Sequence, residues 1–569
     1  MKTLNLHVDY IEWEGLKKAL KNIDELSSNQ DPSKKKVEEA LVVMTAIEKG
    51  DSLESVKEYV DSITKIAEQV KVKNIVLYPY AHLSNNLGSP KIAIEILEEA
   101  EKELKKLKFK VERAPFGYYK SFELKVKGHP LSELSRSMTL EGNKEIIQDL
   151  GEAEIKRLLK DISKSRLDTS KLADNDHRII GKKMDLWSFS PAAPGMVFWH
   201  DKGLHLKNKL IEYWRELHRK EGYQEISTPQ IMDRKLWEIS GHWSKYSENN
   251  FKTSYEGRDF LVKPMNCPGG MLVYKSTPKT YRDLPLRMGE IGNVHRVELS
   301  GVLSGLFRVI QFNQDDAHIF CTEEQLESEI VKIINIVEEI RKTFNLEFDH
   351  VELSTRPEKR IGKDKFWDLA EKALEDVLKT QKMKFIINKG DGAFYGPKID
   401  FHLKDSLKRT WQCATIQLDM ALPERFELEY ADEKGNKKRP IMLHRVVYGS
   451  LERFLGIITE NYNGKFPLWM SPNQIKVITM NESTNKYAEE IHKELFDKGF
   501  RVELDSRNES IGKKVREASI ERFNYIVTIG EEEMKDKVVA VKVPGEKEIV
   551  KMKIEEFIDK LNQEIKEKN

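Results

Sequence analysis

The chain has 569 residues, 39% hydrophobic content and a formal net charge of +1, from 95 basic and 94 acidic side chains. A chain of this length can bury a large core and divides into about three or four domains. The balanced charge excludes recognition of nucleic acid by bulk electrostatics, so any RNA contact has to come from local patches.

Three cysteines, Cys267, Cys321 and Cys413, are too few and too odd in number for a disulfide framework and fit a reducing compartment. The opening MKTLNLHVDYIEWEG is charged throughout, without the apolar core of a signal peptide. No later stretch approaches the roughly 18 apolar residues of a membrane span, so a soluble cytoplasmic protein without a membrane partner is expected.

Residues 1–140 alternate strand-like runs, LNLHVDYIEW and NIVLYPYAHL, with amphipathic helices, which predicts a compact α/β module. One helix should begin at Ser89-Pro90, an N-cap residue followed by proline at the first helical position, and continue through KIAIEILEEAEKELKKLK. Residues 141–185 are charged and read as a helix followed by a polar interdomain connector. Residues 186–470 form the longest block, rich in Trp, Gly and strand-like runs, with a loop-to-helix passage at LSTRPEKRIGKDKFWDLAEKALEDVLK. From 471 to 569 the order is strand, helix, strand, helix, two strands and a final helix, a small α/β domain in which Tyr487, Ile491 and Leu495 stand four apart on one buried face. No internal repeat or low-complexity tract is present.

Within the long block, FNQDDAHIF (Phe312–Phe320) places adjacent carboxylates just before a histidine and among bulky apolar side chains. A metal ligand and a hydrogen-bonded core histidine both account for this, and the stretch alone does not choose between them. The P-loop pattern is absent, and GDGAFYG at Gly390–Gly396 misses the dinucleotide fingerprint by one place, which leaves a glycine-rich turn. If ATP binds, arginines beside glycine-rich and aromatic runs have to hold it; Arg296, Arg308 and Arg453 are available, with Phe312 as a platform.

Eight ordered segments, from FWHDKGLHLKNKLIEYW through KPMNCPGG, RMGEIGNVHRVELSG, QDDAHIFCTEEQ, STRPEKRIG, GAFYGPKIDF and WQCATIQLD to HRVVYGSLERF, resemble the threonyl-tRNA synthetase family of class II aminoacyl-tRNA synthetases from about Met196 onward. The resemblance implies an α+β multidomain fold: a class II antiparallel-sheet catalytic core, a C-terminal α/β anticodon-binding domain and, because LYPYAHLS and RAPFGYYKSFELKVKGHPLSELSR resemble the archaeal editing domain related to D-aminoacyl-tRNA deacylase, an N-terminal α/β editing domain.

The resemblance also implies roles for particular residues. Cys267, His318 and His444 would hold one Zn2+ per subunit with a position open to substrate, and Asp316 would meet the substrate hydroxyl or else orient His318. Arg296 falls on the α-phosphate of ATP, Arg308 and Arg453 on the β- and γ-phosphates, Phe312 and Glu298 on adenine, with Mg2+ arriving with ATP. Tyr395, Lys398, Gln412 and Gln417 would line the threonine side, and His242 would accept a proton in transfer unless it is an inconsequential loop histidine. His82, Tyr119, Lys120 and Glu133 would line the editing site, although ordinary polar packing also suits His82 and Glu133. Asn508, Arg516, Glu533 and Lys542 would meet the anticodon.

The partners implied are tRNA(Thr), ATP, L-threonine and a second subunit, the homodimer forming through motif 1 with Pro229 at its interface. Three positions depart from the pattern: Leu299 where proline is usual, Ile310 where arginine is frequent, and Gly270 where many members carry histidine; these bear on the ATP-side loop and on substrate approach. A prolyl or seryl synthetase would have no need of the zinc residues, and a noncatalytic tRNA-binding paralogue would be expected to lose a motif arginine or a ligand. This chain keeps them all.

Overall fold

The computed structural model describes residues 1–19, 34–84, 86–137, 152–163, 172–245, 250–543 and 548–568. The chain forms two compact units, Met1–Gly151 and Glu152–Asn569. The predicted domain boundary at residue 140 falls outside the described residues.

In the first unit a six-stranded sheet runs in the order Lys110–Arg113, Asn74–Pro79, Lys35–Ala46, Lys2–Lys18 and Tyr118–Val126, with Glu133–Ser137 also paired to the first strand. Alternation along Lys35–Ala46 sends Leu41 and Val43 to one face, against the helices Ser55–Val70 and Pro90–Lys106, and Val42 and Met44 to the other, beside Val8, Trp13 and Tyr78. The expected helix starts where its cap predicts: Ser89 Oγ accepts from Ile92 N at 3.3 Å.

In the second unit the charged region holds the helix Glu152–Ile162, as expected, but the polar connector contains a further helix, His177–Lys183. Asp176 caps it, accepting from Arg178 N at 2.9 Å. His177 is fully buried, with Nδ1 2.7 Å from Glu460 Oε1 and Nε2 accepting from Leu306 N at 3.0 Å. Two turns are too short for periodicity to reveal, and long-range hydrogen bonds fix this segment.

An eight-stranded sheet carries the centre of the unit, in the order Ile386–Asn388, Phe348–Ser354, Lys398–Lys404, Thr410–Asp419, Ile441–Val446, Gln311–Cys321, Leu286–His295 and Gln224–Glu225. The inner pairings are antiparallel and the two outermost are parallel. One face, with Ile399, Phe401, Leu403, Ile416, Leu418 and Leu443, packs into a core shared with the helices Asp201–Lys220, Leu326–Thr343 and Leu451–Asn461.

The last domain is a five-stranded sheet, ordered Val502–Asp505, Ile475–Thr479, Tyr525–Ile529, Val539–Lys542 and Ile549–Met552. The short helix Glu531–Asp536 and the edge strand Ile549–Met552 were not expected from the sequence pattern. Ile491 and Leu495 are buried as predicted, and half-buried Tyr487 turns its hydroxyl to Val538 O at 3.3 Å. Among the described residues, no helix is long and apolar enough to cross a membrane.

Replacing His177 with Leu strands the Leu306 N–H and part of the buried Glu460 carboxylate. A loss of about 1–3 kcal/mol is expected, visible as a lower denaturation midpoint for the second unit; an unchanged midpoint would contradict the anchoring role.

Candidate functional site

The strand Gln311–Cys321 separates its two consecutive carboxylates by alternation. Asp316 and His318 point to one face. Asp315 points to the other, where it is fully buried and accepts from Val447 N at 3.0 Å, Tyr448 N at 3.1 Å and Gly449 N at 2.9 Å. Burial pushes the Asp315 carboxyl up to about 7, against the pull of Arg445 and those three N–H groups.

On the first face His318 lies directly opposite His444, which lies opposite Gln417, which in turn lies opposite Lys398. Cys267, the first residue of the helix Cys267–Lys275, completes a buried set with His318 and His444 whose ligand atoms all lie within 4.8 Å of one another. The two imidazoles meet edge to face at 5.0 Å. His444 Nε2 is 2.9 Å from Asp419 Oδ2, which leaves its lone pair on Nδ1, and His318 Nε2 is buried without a hydrogen-bond partner.

Burial, followed by Asp316 and Asp419, holds the Cys267 thiol well above its ordinary range; burial, then His444 and Arg445, holds His318 well below. One thiolate and two neutral imidazoles are a zinc-type donor set, and a bound cation favours those deprotonated forms. Asp316, raised by burial, accepts from Asn266 Nδ2 at 3.4 Å and lies 3.9 Å from His318 Nε2. Gly292 makes room for Asn266, because a Cβ there would fall 2.1 Å from its Oδ1.

Three arginines gather nearby. Arg296 donates to Pro264 O at 3.2 Å and lies 5.3 Å over the Phe312 ring; Arg308 is paired with Glu298 at 3.0 Å. Arg453, on a helix capped by Ser450, donates to Phe307 O at 3.1 Å and Gln412 O at 3.3 Å. Burial lowers its pKa, and the charges of Arg308 and Arg296 lower it further against Cys413 and Glu298. Asp400 gathers Lys398 at 2.8 Å and Gln412 at 2.6 Å; a bulge between Gln412 and Ala414 turns Gln412 to the same face as Thr415. Gln417 donates to Gly396 O at 3.4 Å, and the Tyr395 ring lies 5.2 Å from His444. His242 is fully buried at the start of a short helix, Nδ1 2.8 Å from Ser240 Oγ, between Trp237 and Phe394.

Family models match three parts of the chain: an archaea-specific editing domain of threonyl-tRNA synthetase over residues 1–138, a class II tRNA synthetase core (G, H, P, S and T) over 251–462, and an anticodon-binding domain over 474–564. A crystal structure described as the RNA-binding domain of threonyl-tRNA synthetase from Cryptosporidium parvum Iowa II is 40% identical, with a TM-score of 0.67 over 68% of this chain and 98% of that one. The chain belongs to the threonyl-tRNA synthetase family.

A putative family member from Aeropyrum pernix aligns at 27% identity and a TM-score of 0.61, over 69% of this chain and 97% of that one. The threonine–tRNA ligase of Carboxydothermus hydrogenoformans is 52% identical over 393 residues, 69% of this chain and 62% of the relative; that of Caldanaerobacter subterraneus is 52% identical over 390 residues, 68% and 60%. The chain thus spans about three-fifths of the length of these curated relatives.

The first unit of this synthetase-family chain has a cavity of about 540 Å³ lined by His82, Tyr119 and Lys120 together with Tyr78, Tyr80 and Phe122. Lys120 donates to Pro115 O at 2.9 Å, lies 5.0 Å over the Tyr78 ring, and is held down to about 8 by burial. Glu133 is exposed on a different strand, opposite Leu6, and does not line that cavity. In the anticodon-binding domain Asn508 and Arg516 are exposed, and Lys542 ends a strand. Glu533 is buried, accepting from Gly530 N at 3.0 Å and pairing with Lys551 at 2.7 Å.

The departures from the family pattern have distinct settings. Leu299 is 79% exposed, and Ile310 is buried with its N–H on Gly195 O at 2.7 Å. Gly270 faces a zinc-type ligand: a Cβ there would lie 3.3 Å from His318 Nδ1. Sequence reasoning missed Asn266 and Asp419, whose partners are 50 and 25 residues away and which no local signal marks; it singled out the carboxylate pair containing Asp315 but not its partners, the first of them 132 residues away.

Asp419 lies against His444, so any zinc affinity of the Cys267, His318 and His444 set, measured in competition with a chromophoric chelator, should fall by about 10–100-fold in Asp419→Ala. Unaltered affinity would separate Asp419 from that candidate centre.

Proposed function

We propose that the chain is a threonine–tRNA ligase. It activates L-threonine with ATP, transfers the threonyl group to the 3′ end of tRNA(Thr), and hydrolyses mischarged seryl-tRNA(Thr) in its first unit. The observation that carries the reading is the convergence of Cys267, His318 and His444 beside Asp316.

Those three residues would hold zinc, one ion per subunit, which when bound would act as a Lewis acid toward the amino and hydroxyl groups of the amino acid. Asp316 accepts from the substrate hydroxyl. A site built to engage a hydroxyl rejects valine by about 10⁴–10⁵, whereas serine, lacking only a methyl, is disfavoured by only about 10–200-fold. Separate hydrolysis of seryl-tRNA(Thr) follows from that gap.

In activation a threonine carboxylate oxygen attacks the α-phosphorus, the bond to the bridging oxygen breaks, and pyrophosphate leaves with the Mg2+ that came with ATP. Arg296 takes the α-phosphate, and Arg308 and Arg453 the β- and γ-phosphates. Arg308, paired with Glu298, is assigned to phosphate and Glu298 to the adenine amino group, and the Phe312 ring beneath Arg296 is assigned to adenine. Tyr395, Lys398, Gln412 and Gln417 orient the amino acid.

In transfer a ribose hydroxyl attacks the acyl carbon and AMP leaves. Ser240 Oγ donates to Trp237 O at 3.2 Å and so accepts from His242 Nδ1–H, which fixes the ring of the residue assigned to take up the released proton. Asn508, Arg516, Glu533 and Lys542 meet the anticodon, a homodimer forms through the segment containing Pro229, and the enzyme works in the cytoplasm.

ATP–pyrophosphate exchange tests the reading. Exchange should depend on threonine, be weaker with serine, be negligible with valine and proline, and fall more than about 100-fold in Cys267→Ala or His318→Ala chains. Exchange with proline alone or serine alone, or none at all, would overturn it.

Hydrolysis has its own signature. Lys120 is an ammonium below about pH 8 and an amine above it. As a donor to the ester carbonyl it should lose effect as pH rises through about 8, so seryl-tRNA(Thr) deacylation, corrected for hydroxide-driven hydrolysis, should decline there. Lys120→Met should be slower and lack the step; a wild-type profile without a decline would remove Lys120 from the chemistry.

A further inference from the structure

The strands Phe348–Ser354 and Lys398–Lys404 pair so that His350 faces His402 and Glu352 faces Asp400. The two imidazoles stack nearly parallel, 4.3 Å apart at 10°. Glu352 lies between their outer nitrogens, with Oε1 3.0 Å from His350 Nε2 and Oε2 3.7 Å from His402 Nε2. One ligand atom from each residue falls within 4.8 Å of the other two, and His402 Nε2 is buried without a hydrogen-bond partner.

The set is held from behind. Asp349 Oδ2 lies 3.0 Å from His350 Nδ1, and the same carboxylate is fixed by Lys404 at 3.0 Å and Thr410 at 2.8 Å. Asn388 Nδ2 donates to Glu352 Oε2 at 3.0 Å. Asp349 takes His350 Nδ1, which leaves His350 Nε2, the Glu352 carboxylate and His402 Nε2 grouped together. A metal lies in the plane of each imidazole it binds, so one ion takes all three donors once one ring turns out of the parallel stack.

We propose that His350, Glu352 and His402 form a second metal site, for a divalent first-row transition ion of the zinc class. Two imidazoles and one carboxylate suit Zn2+, Co2+ or Ni2+ and disfavour Mg2+ and Ca2+, which prefer oxygen ligands throughout. The carboxylate behind His350 is the partner that metal-bound histidines use to fix tautomer and ring orientation. The site occupies the same sheet face as the Cys267 set: Asp400, opposite Glu352, is the residue that gathers Lys398 and Gln412. An ion there places positive charge one residue row from the side chains assigned to substrate.

Metal content and the cobalt spectrum of the full chain test this. After loading with Co2+ and removal of loosely bound ion, the wild type should hold two ions per chain, with a thiolate-to-cobalt band from the Cys267 site. Cys267→Ala should keep one ion and lose the band, a count that stands whether or not the ligase reading is correct. His402→Leu should keep the band and lose one ion. If His402→Leu also loses the band, the milder Glu352→Gln decides in the same way: loss of one ion supports the site and retention overturns it. A wild-type chain with a single ion that Cys267→Ala abolishes, or a second ion that persists in both His402→Leu and Glu352→Gln, would overturn the proposal.

Discussion

A strand turns successive side chains to opposite faces, and the strand Gln311–Cys321 uses that constraint to join two halves of one site. On one side His318 joins Cys267 and His444, with Asp316 beside them. On the other, Asp315 gathers three consecutive N–H groups, Val447 to Gly449, just ahead of the helix Leu451–Asn461 that carries Arg453. A fully buried carboxylate without partners costs several kcal/mol, so the loop before that helix has one satisfied position. The cation-seeking set and one of the anion-seeking arginines are thereby registered to each other through adjacent residues. A slip of one residue would exchange Asp315 with Asp316 and lose both arrangements.

The electrostatics of the two halves are opposite in sign. Desolvation leaves the Cys267 thiol and the His318 ring in neutral forms that a cation would relieve. Arg453 is half-buried and pressed by Arg296 and Arg308, which an anion would relieve. The substrates proposed above, an amino acid with amine and hydroxyl at the first half and a carboxylate meeting a phosphate at the second, would satisfy both at once. The arginines are held by Glu298 for Arg308, the Phe312 face for Arg296, and a carbonyl oxygen for Arg453.

What the sequence disclosed follows from which forces are local. The helix Pro90–Lys106 was legible because Ser89 and Pro90 mark its start within three residues, and the α/β order after residue 471 because its helices repeat their apolar positions over three or more turns. The helix His177–Lys183 was not, since a buried histidine bonded to Glu460, 283 residues away, leaves no periodic trace. The same limit applied to the site. Cys267, His318 and His444 have no short ligand spacing and emerged only through resemblance to a family, while Asp419 and Asn266, which hold His444 and Asp316, escaped even that. Gln412 and Gln417 stand an odd number of residues apart, so simple alternation would set them on opposite faces; the bulge that brings Gln412 round to Asp400 is invisible without the partner strand.

The central sheet also explains why chemistry concentrates where it does. Along Lys398–Lys404 the residues Ile399, Phe401 and Leu403 enter the core, and the intervening Lys398, Asp400, His402 and Lys404 share the other face. An antiparallel sheet can leave such a face uncovered by helices, and polar side chains placed there must find partners along the rows or from solution. Lys398 and Gln412 find Asp400, and Lys404 finds Asp349. His318 Nε2 and His402 Nε2, both buried, find no partner among the described residues. Each lies beside two further donors at metal-ligand separations, so the two unsatisfied nitrogens of this face call for the same remedy at two different rows.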